Sequence, residues 1–259
     1  IQSSVTATLI GEVIAYLNQN IDYAVMRNYE GLPHSNSARD IDIIIRRRDL
    51  RRVQPHIIDI IDKCGWKIIN YLNSDRLITY VCARNDGNDT SIMQWDFFVD
   101  TSVFGILLMK ADEFLCDKEF NGFLWHSKIN SQFLDKYLYD RAVGAEYPEK
   151  YHSTRSYAEN SPAVRTKLKA IFGIDNTDQC DSTSGRKLLF RAFRYNLRHR
   201  PFGLMADMGR FIRTFTGNYI MSRTGFSVGF TGPDGSGKTT VIDRTIQRLG
   251  AVFATAHAY

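Results

Sequence analysis

Hydrophobic and polar positions switch between helical and extended spacing along the first part of the chain. Apolar residues recur every three or four positions over residues 5–18, which predicts a helix. The apolar stretch 21–26 predicts a strand, and a polar loop over residues 27–39 leads into a second strand at residues 40–45. The chain therefore begins as helix, strand, loop and strand.

Later segments repeat these two patterns. Strands are predicted over residues 66–72, 77–83 and 92–99, and helices over residues 55–63, 132–143, 162–172, 186–198 and 202–219. Residues 102–114 fit a strand and a helix equally well. The polar, turn-rich segment 176–185 is the best candidate for a linker.

Two carboxylates stand on one face of the strand at residues 40–45. Side chains two positions apart in a strand lie about 7 Å apart on the same face, so Asp40 and Asp42 point one way while the isoleucines between them point into the core. Such a pair can share one or two magnesium ions. Asp96 is a lone acid among large apolar residues, and burial of a lone carboxylate is costly unless it is hydrogen-bonded or bound to metal. We therefore predict Asp96 as a third ligand. The alternative is that Asp40 and Asp42 form the solvated face of an amphipathic strand.

The C-terminal part carries the complete phosphate-binding pattern G-x-x-x-x-G-K-[ST] at residues 232–239. The residues predicted to bind the nucleotide are Gly232, Asp234, Gly235, Ser236, Gly237, Lys238, Thr239 and Thr240. The glycines let backbone N–H groups face a triphosphate, Lys238 reaches the β- and γ-phosphates as a catalytic cation, and Thr239 binds magnesium. A short buried strand over residues 227–231 and a helix over residues 240–249 put the phosphates at a helix N-terminus. The alternative is a chance glycine-rich turn.

Composition limits the class of protein. With 259 residues and 44% hydrophobic content, the chain fits one large or two ordinary globular domains. Its four cysteines are scattered without a C-x-x-C pair, which is typical of reduced thiols and unlike a zinc site. No run approaches the roughly 18 apolar residues of a membrane helix. We therefore expect a cytoplasmic protein.

Positive charge is concentrated in residues 186–223, which hold nine Lys or Arg residues and one acid, Asp207. One side of the predicted helix in this segment carries Leu189, Phe190, Phe193 and Leu197. The functional interpretations are a peripheral contact with an anionic membrane or a wall that steers an anionic substrate. The alternative is a connector that packs this apolar side on the core. Arginines interleaved with aromatic residues also fit single-stranded nucleic acid. No recognised nucleic-acid fold surrounds them, so we do not expect a nucleic-acid partner.

The order of elements around the acids resembles the nucleotidyltransferase fold. Residues 26–33 (MRNYEGLP) and 39–42 (RDID) resemble a bacterial branch of that superfamily found in polysaccharide gene clusters. In the superfamily, three acids bind two metal ions that activate the attacking hydroxyl and hold the triphosphate. The resemblance assigns these catalytic and metal-binding roles to Asp40, Asp42 and Asp96.

One departure from this family concerns phosphate binding. Active members usually carry a Gly-Ser pair before the D-x-D strand, and this chain has Arg27 and Asn28 there instead. The guanidinium of Arg27 or Arg39 could serve as the phosphate clamp. The other interpretation is a domain that binds nucleotide without turning it over.

Residues 229–240 (GFTGPDGSGKTT) resemble the thymidylate-kinase-like branch of P-loop kinases. This motif is specific for ATP and not for the acceptor. A kinase domain of this branch needs a sheet, a magnesium-binding acid, an acceptor site and a lid after the loop, so we expect the domain to be incomplete here. Proteins that join both domains occur in surface-polysaccharide clusters, which implies a sugar phosphate or a lipid-linked sugar as partner.

These features together predict three parts. They are an α+β nucleotidyltransferase-like domain over residues 1–125, a helical extension and basic connector over residues 126–223, and the beginning of an α/β P-loop kinase domain over residues 224–259. The predicted function is a magnesium-dependent transferase that uses ATP or another nucleoside triphosphate in polysaccharide or nucleotide-sugar metabolism. The alternative is a non-catalytic nucleotide-sensing or scaffolding module.

Overall fold

Helices surround a mixed β-sheet in the computed structural model, which describes residues 4–34, 40–85, 90–221, 228–233 and 236–249. The helices are α1 Ser4–Asn20, α2 Arg47–Lys63, α3 Ala111–Cys116, α4 Ile129–Val143, α5 His152–Ala158, α6 Pro162–Phe172, α7 Thr177–Ser182, α8 Gly185–His199, α9 Pro201–Phe215 and α10 Lys238–Leu249. A 3-10 turn precedes α5 and a π-helical stretch follows α9; these are Glu149–Tyr151 and Thr216–Met221.

The strands form one large and one small sheet. They are β1 Tyr23–Val25, β2 Asp40–Ile45, β3 Lys67–Asn73, β4 Leu77–Asn85, β5 Thr90–Phe98, β6 Asp100–Val103, β7 Ile106–Lys110, β8 Lys118–Phe120 and β9 Trp125–Ser127. The seven-stranded sheet has the order β3-β4-β5-β2-β1-β9-β8, and β6 pairs with β7 in a hairpin. Strands β2 and β5 are therefore neighbours near the middle of the large sheet, where they run parallel.

The large sheet has a separate hydrophobic core on each face. One cluster joins α1 and α2 to the odd-numbered residues of β2, namely Ile41, Ile43 and Ile45. The other cluster joins Ile44 of β2 and Phe98 of β5 to helices α3, α4, α6 and α8. Because side chains alternate along a strand, Asp40 and Asp42 share the face of Ile44. The acids therefore lie on the side of the sheet that the later helices cover.

The segment that fitted both a strand and a helix contains both. Residues 100–110 form the β6–β7 hairpin, and α3 follows directly. The hydrophobic cluster on this face of the sheet includes residues from before and after residue 125. The predicted division into a domain of residues 1–125 and an extension of residues 126–223 stays a prediction.

The predicted linker at residues 176–185 is wrong, because most of it is the helix α7. The Asn176 side chain accepts a hydrogen bond from the Gln179 backbone N–H and caps this helix. Arg141 of α4 donates hydrogen bonds to the backbone carbonyls of Cys180, Asp181 and Thr183. Polar residues therefore cap and anchor this segment, although their composition resembles that of a flexible loop.

The predicted apolar side of α8 is only partly correct. Leu189 and Phe193 are partly buried, whereas Phe190 and Leu197 are 59% and 51% exposed. The buried residues of the helix are Gly185, Leu188, Ala192 and Asn196. A Cβ atom on Gly185 would lie 2.5 Å from the Gly144 Cα, and the Asn196 side chain donates to the Leu107 carbonyl. Leu188 packs beside two small residues and an amide on the buried face of α8, and a pattern based on large apolar residues does not predict this face.

Within the described ranges, no helix combines the length and the apolar character needed to cross a bilayer.

The packing of α8 gives a test based on two leucines of one helix. Leu188 is fully buried, so we expect Leu188→Ala to lower the free energy of unfolding by about 2–5 kcal/mol. Leu197→Ala, at an exposed position, should change it by about 0.5 kcal/mol or less. Chemical denaturation of both variants measures the difference. Equal losses, or a larger loss at Leu197, would contradict the orientation of α8.

Candidate active site

Three aspartates come together where β2 and β5 run side by side. Asp40 and Asp42 share one face of β2, and the parallel register sets Asp42 opposite Asp96 of β5. One carboxylate oxygen from each of the three residues lies within 4.8 Å of the other two. Asp42 and Asp96 are buried, and Asp40 is half-buried. The three acids that the strand pattern singled out are therefore neighbours in space.

Two polar side chains hold Asp96 in place. Thr79 of β4 donates a hydrogen bond from Oγ1 to Asp96 Oδ1 at 2.6 Å, and Gln94 donates from Nε2 to Oδ2 at 2.9 Å. Burial raises the pKa of Asp96, and its effect outweighs the lowering by these two hydrogen bonds. The carboxylate is thus oriented before any ligand arrives.

Arg27 ties Asp42 to the helical layer. Its Nε donates to Asp42 Oδ2 at 2.6 Å, and its Nη2 lies 3.3 Å from Asp135 Oδ2 of α4. Thr101 of β6 donates to Asp135 Oδ1 at 2.5 Å. Burial alone would lower the pKa of Arg27, but the Asp135 and Asp42 carboxylates raise it. Burial raises the pKa of Asp42 against the opposing effect of Arg27, and Asp40 and Asp96 add to the rise.

Sequence reasoning missed part of this network. It considered Arg27 or Arg39 as a phosphate clamp; Arg27 is bound to two carboxylates, and Arg39 lies outside the described residues. Asp135 was not identified, although it follows the buried residues Phe133 and Leu134. An acid inside the apolar stripe of a predicted helix was the available signal, because a buried carboxylate needs a charged or hydrogen-bonding partner.

The three carboxylates fit a magnesium site. Magnesium prefers hard oxygen ligands and is usually held by one or two carboxylates together with substrate phosphates and water. Asp40, Asp42 and Asp96 offer carboxylate oxygens alone, without a sulfur or imidazole ligand that would favour zinc or copper. The metal-binding and catalytic roles of the three residues stay predictions.

A cavity of about 190 Å³ opens beside Arg27. It is lined by Arg27, Asn28, Glu30, Gln132, Lys136, Tyr147, Lys150, Tyr151 and Thr154. The loop after β1 forms one wall, and α4 together with the following 3-10 turn and α5 forms the other. Arg27 lines this cavity and also forms an ion pair with Asp42, so this one side chain connects the cavity with the three acids.

The phosphate-binding loop is described in part. Helix α10 begins at Lys238, so Thr239 and Thr240 lie in its first turn, and Asp234 and Gly235 are outside the described residues. Lys238 Nζ donates hydrogen bonds to the backbone carbonyls of Gly232 at 2.6 Å and Pro233 at 2.7 Å. The helix predicted over residues 240–249 is therefore confirmed, and it begins two residues earlier, at Lys238. Nucleotide binding by Gly232, Ser236, Gly237, Lys238, Thr239 and Thr240 stays a prediction.

The strand predicted before this loop is wrong for residues 228–231. These residues are exposed and have no regular secondary structure, and Ser227 lies outside the described residues. A buried parallel strand needs hydrogen-bonded neighbours, and no strand in the described part of the chain pairs with this stretch. Within the described ranges, residues 228–231 therefore do not supply the strand that was predicted before the loop.

Comparison with known proteins gives two solved structures and no sequence match. Neither a protein-family model nor a curated protein matches the chain. The crystal structure of JHP933 from Helicobacter pylori is 10% identical, with a TM-score of 0.36 over 80% of this chain and 98% of that one. A provisionally assigned nucleotidyltransferase from H. pylori is 12% identical, with a TM-score of 0.36 over 78% of this chain and 99% of that one. This level of similarity does not assign a function to the chain.

The buried charge of Asp96 predicts that its replacement by asparagine stabilises the fold, by an amount that depends on pH. The pKa of Asp96 is higher in the folded state than in the unfolded chain, because burial favours the protonated, neutral carboxyl group. The folded protein is therefore stabilised relative to the unfolded chain at low pH, and this stabilisation is lost as the pH rises through the folded-state pKa. Asp96→Asn removes the cost of burying a carboxylate charge. It can keep both hydrogen bonds, because either Thr79 can rotate its hydroxyl or Gln94 can flip its amide to accept from the new N–H group. In EDTA, the variant should be more stable than the wild type at about pH 7, and the gain should shrink towards about pH 4.5.

Urea titrations at the two pH values measure this effect. Asp59→Asn, at an exposed position of α2, is the control and should change the free energy of unfolding by about 0.5 kcal/mol or less. A loss of stability in Asp96→Asn of the same size at both pH values would contradict the proposed cost of charge burial.

Proposed function

We propose that the chain carries a magnesium-dependent nucleotidyltransferase active site at Asp40, Asp42 and Asp96. The observation that supports this proposal is the approach of three carboxylate oxygens to within 4.8 Å on two parallel strands. Like charges at such distances are unfavourable unless a cation is present. Magnesium, bound by these acids and by substrate phosphates, supplies Lewis-acid polarisation of the phosphate oxygens.

The proposed reaction is the transfer of a nucleotidyl group. An acceptor oxygen forms a bond to the α-phosphorus of a nucleoside triphosphate, the bond between the α-phosphorus and the bridging oxygen breaks, and pyrophosphate leaves. The proton of the acceptor hydroxyl passes to solvent water. In this reaction Asp40, Asp42 and Asp96 hold the metal, Thr79 and Gln94 orient Asp96, and Arg27 positions Asp42.

The C-terminal segment supports a second, separate proposal. The complete motif at residues 232–239 is followed by helix α10, which begins at its lysine. We propose that Gly232, Asp234, Gly235, Ser236, Gly237, Lys238, Thr239 and Thr240 bind ATP, with Thr239 on magnesium, as the start of a thymidylate-kinase-like P-loop domain. Lys238 stabilises charge on the transferred phosphoryl group.

The proposed function includes a cellular role. The resemblance of residues 26–33 and 39–42 supports surface-polysaccharide or nucleotide-sugar metabolism in the cytoplasm, with a sugar phosphate or a lipid-linked sugar as partner. Peripheral membrane contact would involve residues 186–223. In this segment Phe202 and Met205 are exposed, and the exposed cations Arg194 and Arg198 have no ion pair among the described residues.

A non-catalytic nucleotide sensor is the competing function. The ion pair between Arg27 and Asp42 favours it, because the guanidinium already compensates the charge of one predicted metal ligand. Metal binding separates the two proposals: a catalytic site takes up magnesium or manganese together with nucleotide, and a degenerate site does not.

Substitution of Asp42 tests the catalytic proposal. Pyrophosphate release is measured from each nucleoside triphosphate with magnesium and a panel of sugar phosphates. Asp42→Asn should reduce the rate about a thousandfold or more, because metal-assisted charge stabilisation contributes several kcal/mol. The exposed-site control Asp59→Asn should retain wild-type rates. Equal activity in the wild type and in Asp42→Asn would refute the role of the three acids.

The ATP-binding proposal is tested at Lys238. A charged hydrogen-bond donor to phosphate is worth about a tenfold to hundredfold change in affinity, so Lys238→Ala should weaken binding of a fluorescent ATP analogue by that factor. Arg244→Ala, an exposed residue on the same helix, is the matched control. If both variants bind ATP as the wild type does, the loop is not the ATP site.

A further inference from the structure

The cavity beside Arg27 is lined almost entirely by hydrogen-bond donors. Eight of its nine lining residues carry an N–H or O–H group in the side chain, and Glu30 alone does not. They are Arg27, Asn28, Gln132, Lys136, Tyr147, Lys150, Tyr151 and Thr154. Three of them are cationic against one carboxylate. A ligand complementary to this lining carries several acceptor oxygens and negative charge.

Two of these cations form ion pairs with buried carboxylates that do not line the cavity. Lys136 Nζ lies 3.1 Å from Asp140 Oδ1, one helical turn further along α4. Arg27 is held by Asp135 and Asp42. Asp135, Asp140 and Asp42 are all buried, and none of them lines the cavity. The acids therefore fix the cations without presenting negative charge to a ligand in the cavity.

The third cation, Lys150, lies on the same wall as Lys136 and faces the loop that carries Arg27. Lys150 belongs to the 3-10 turn before α5, is exposed, and has its Nζ 4.9 Å from the centre of the Tyr151 ring. Tyr147 and Tyr151 line the cavity with their rings 6.2 Å apart. Two lysines on separate elements and two phenol groups thus enclose a space that opens to solvent.

The size of the cavity limits its ligand. At about 190 Å³ it is smaller than the roughly 300–1,000 Å³ of pockets that hold whole drug-sized molecules. It therefore suits one charged group of a larger substrate. The substrate would extend from there past Arg27, which contacts Asp42.

We propose that this cavity is a phosphate subsite, in which Lys136, Lys150 and Arg27 bind a phosphate group of a substrate that reacts at the three aspartates. The proposal rests on the proposed nucleotidyl transfer for the identity of that reaction. The phosphate group has two possible sources, a phosphorylated acceptor and the terminal phosphate of the nucleoside triphosphate. Their shared chemistry is a phosphate with free oxygens facing lysine ammonium groups.

Binding of inorganic phosphate to the full chain in EDTA tests the subsite apart from the metal. Isothermal titration calorimetry at constant ionic strength should give saturable binding to the wild type. Lys136→Met and Lys150→Met should each raise the Kd about tenfold, because each removes a charged hydrogen-bond donor. Lys150 is exposed, so Lys150→Met is expected to fold even if Lys136→Met leaves Asp140 too costly to bury.

Two substitutions at exposed positions are the controls. Lys187→Met on α8 and Asp59→Asn on α2 should bind phosphate as the wild type does. Absence of saturable phosphate binding, or equal Kd values in the wild type and both lysine variants, would overturn the subsite. Phosphate binding that depends on Lys136 and Lys150 would support it even if no nucleoside triphosphate were turned over, an outcome that would reject the proposed transfer alone.

Two further titrations in EDTA identify the source of the phosphate. If the phosphate belongs to the acceptor, Lys150→Met weakens binding of glucose 1-phosphate and leaves that of ATP unchanged. If it is the terminal phosphate of the nucleotide, Lys150→Met weakens ATP binding and leaves ADP unchanged. A variant that binds all three as the wild type does contradicts the subsite.

Discussion

The ion pair between Arg27 and Asp42 is the interaction on which the site depends. Two unit negative charges 4.8 Å apart repel by about 3–4 kcal/mol at an effective dielectric constant of 20, and closer charges repel more strongly. Arg27 offsets part of this repulsion at 2.6 Å from Asp42. Because Arg27 also pairs with Asp135, the same guanidinium joins the central strand to α4. The charge balance of the site and the packing of the helical layer are therefore coupled.

Arg27 would take part in both proposed binding sites. A divalent ion at the three acids would be the largest local charge and would change the electrostatics of its neighbours. Arg27 borders the acids on one side and the donor-lined cavity on the other. A substrate that spans both would carry phosphate groups at each end of the guanidinium. The buried acids Asp135 and Asp140 keep the cations in place for it.

The three acids could be proposed as ligands, and most helices and strands could be predicted, because both depend on local patterns in the sequence. Alternation along β2 is enough to place Asp40 and Asp42 on one face, and the polar position in an apolar strand is enough to single out Asp96. Their approach in space depends also on the parallel register of β2 and β5, which is long-range and was not predicted from the sequence. Helices such as α4 and α6 were predicted because their regular apolar spacing is also a local pattern.

The errors and omissions concern features that depend on distant partners. The polar segment of α7 is ordered by Arg141 of α4, and the buried face of α8 is set by small residues such as Gly185. The role of Asp135 as an ion-pair partner depends on Arg27, which is distant in sequence. The apolar stretch 228–231 lacks a described neighbouring strand to pair with, so its composition alone did not make it a strand.

The most direct test of the central claim locates the metal. Crystals of the chain grown with manganese and a non-hydrolysable nucleoside triphosphate should give an anomalous difference peak bound by carboxylate oxygens of Asp40, Asp42 and Asp96. The same peak should be absent from crystals of Asp42→Asn prepared identically. If the wild-type crystals hold the nucleotide at full occupancy but show no peak among the three aspartates, the site is not a metal-dependent transferase centre.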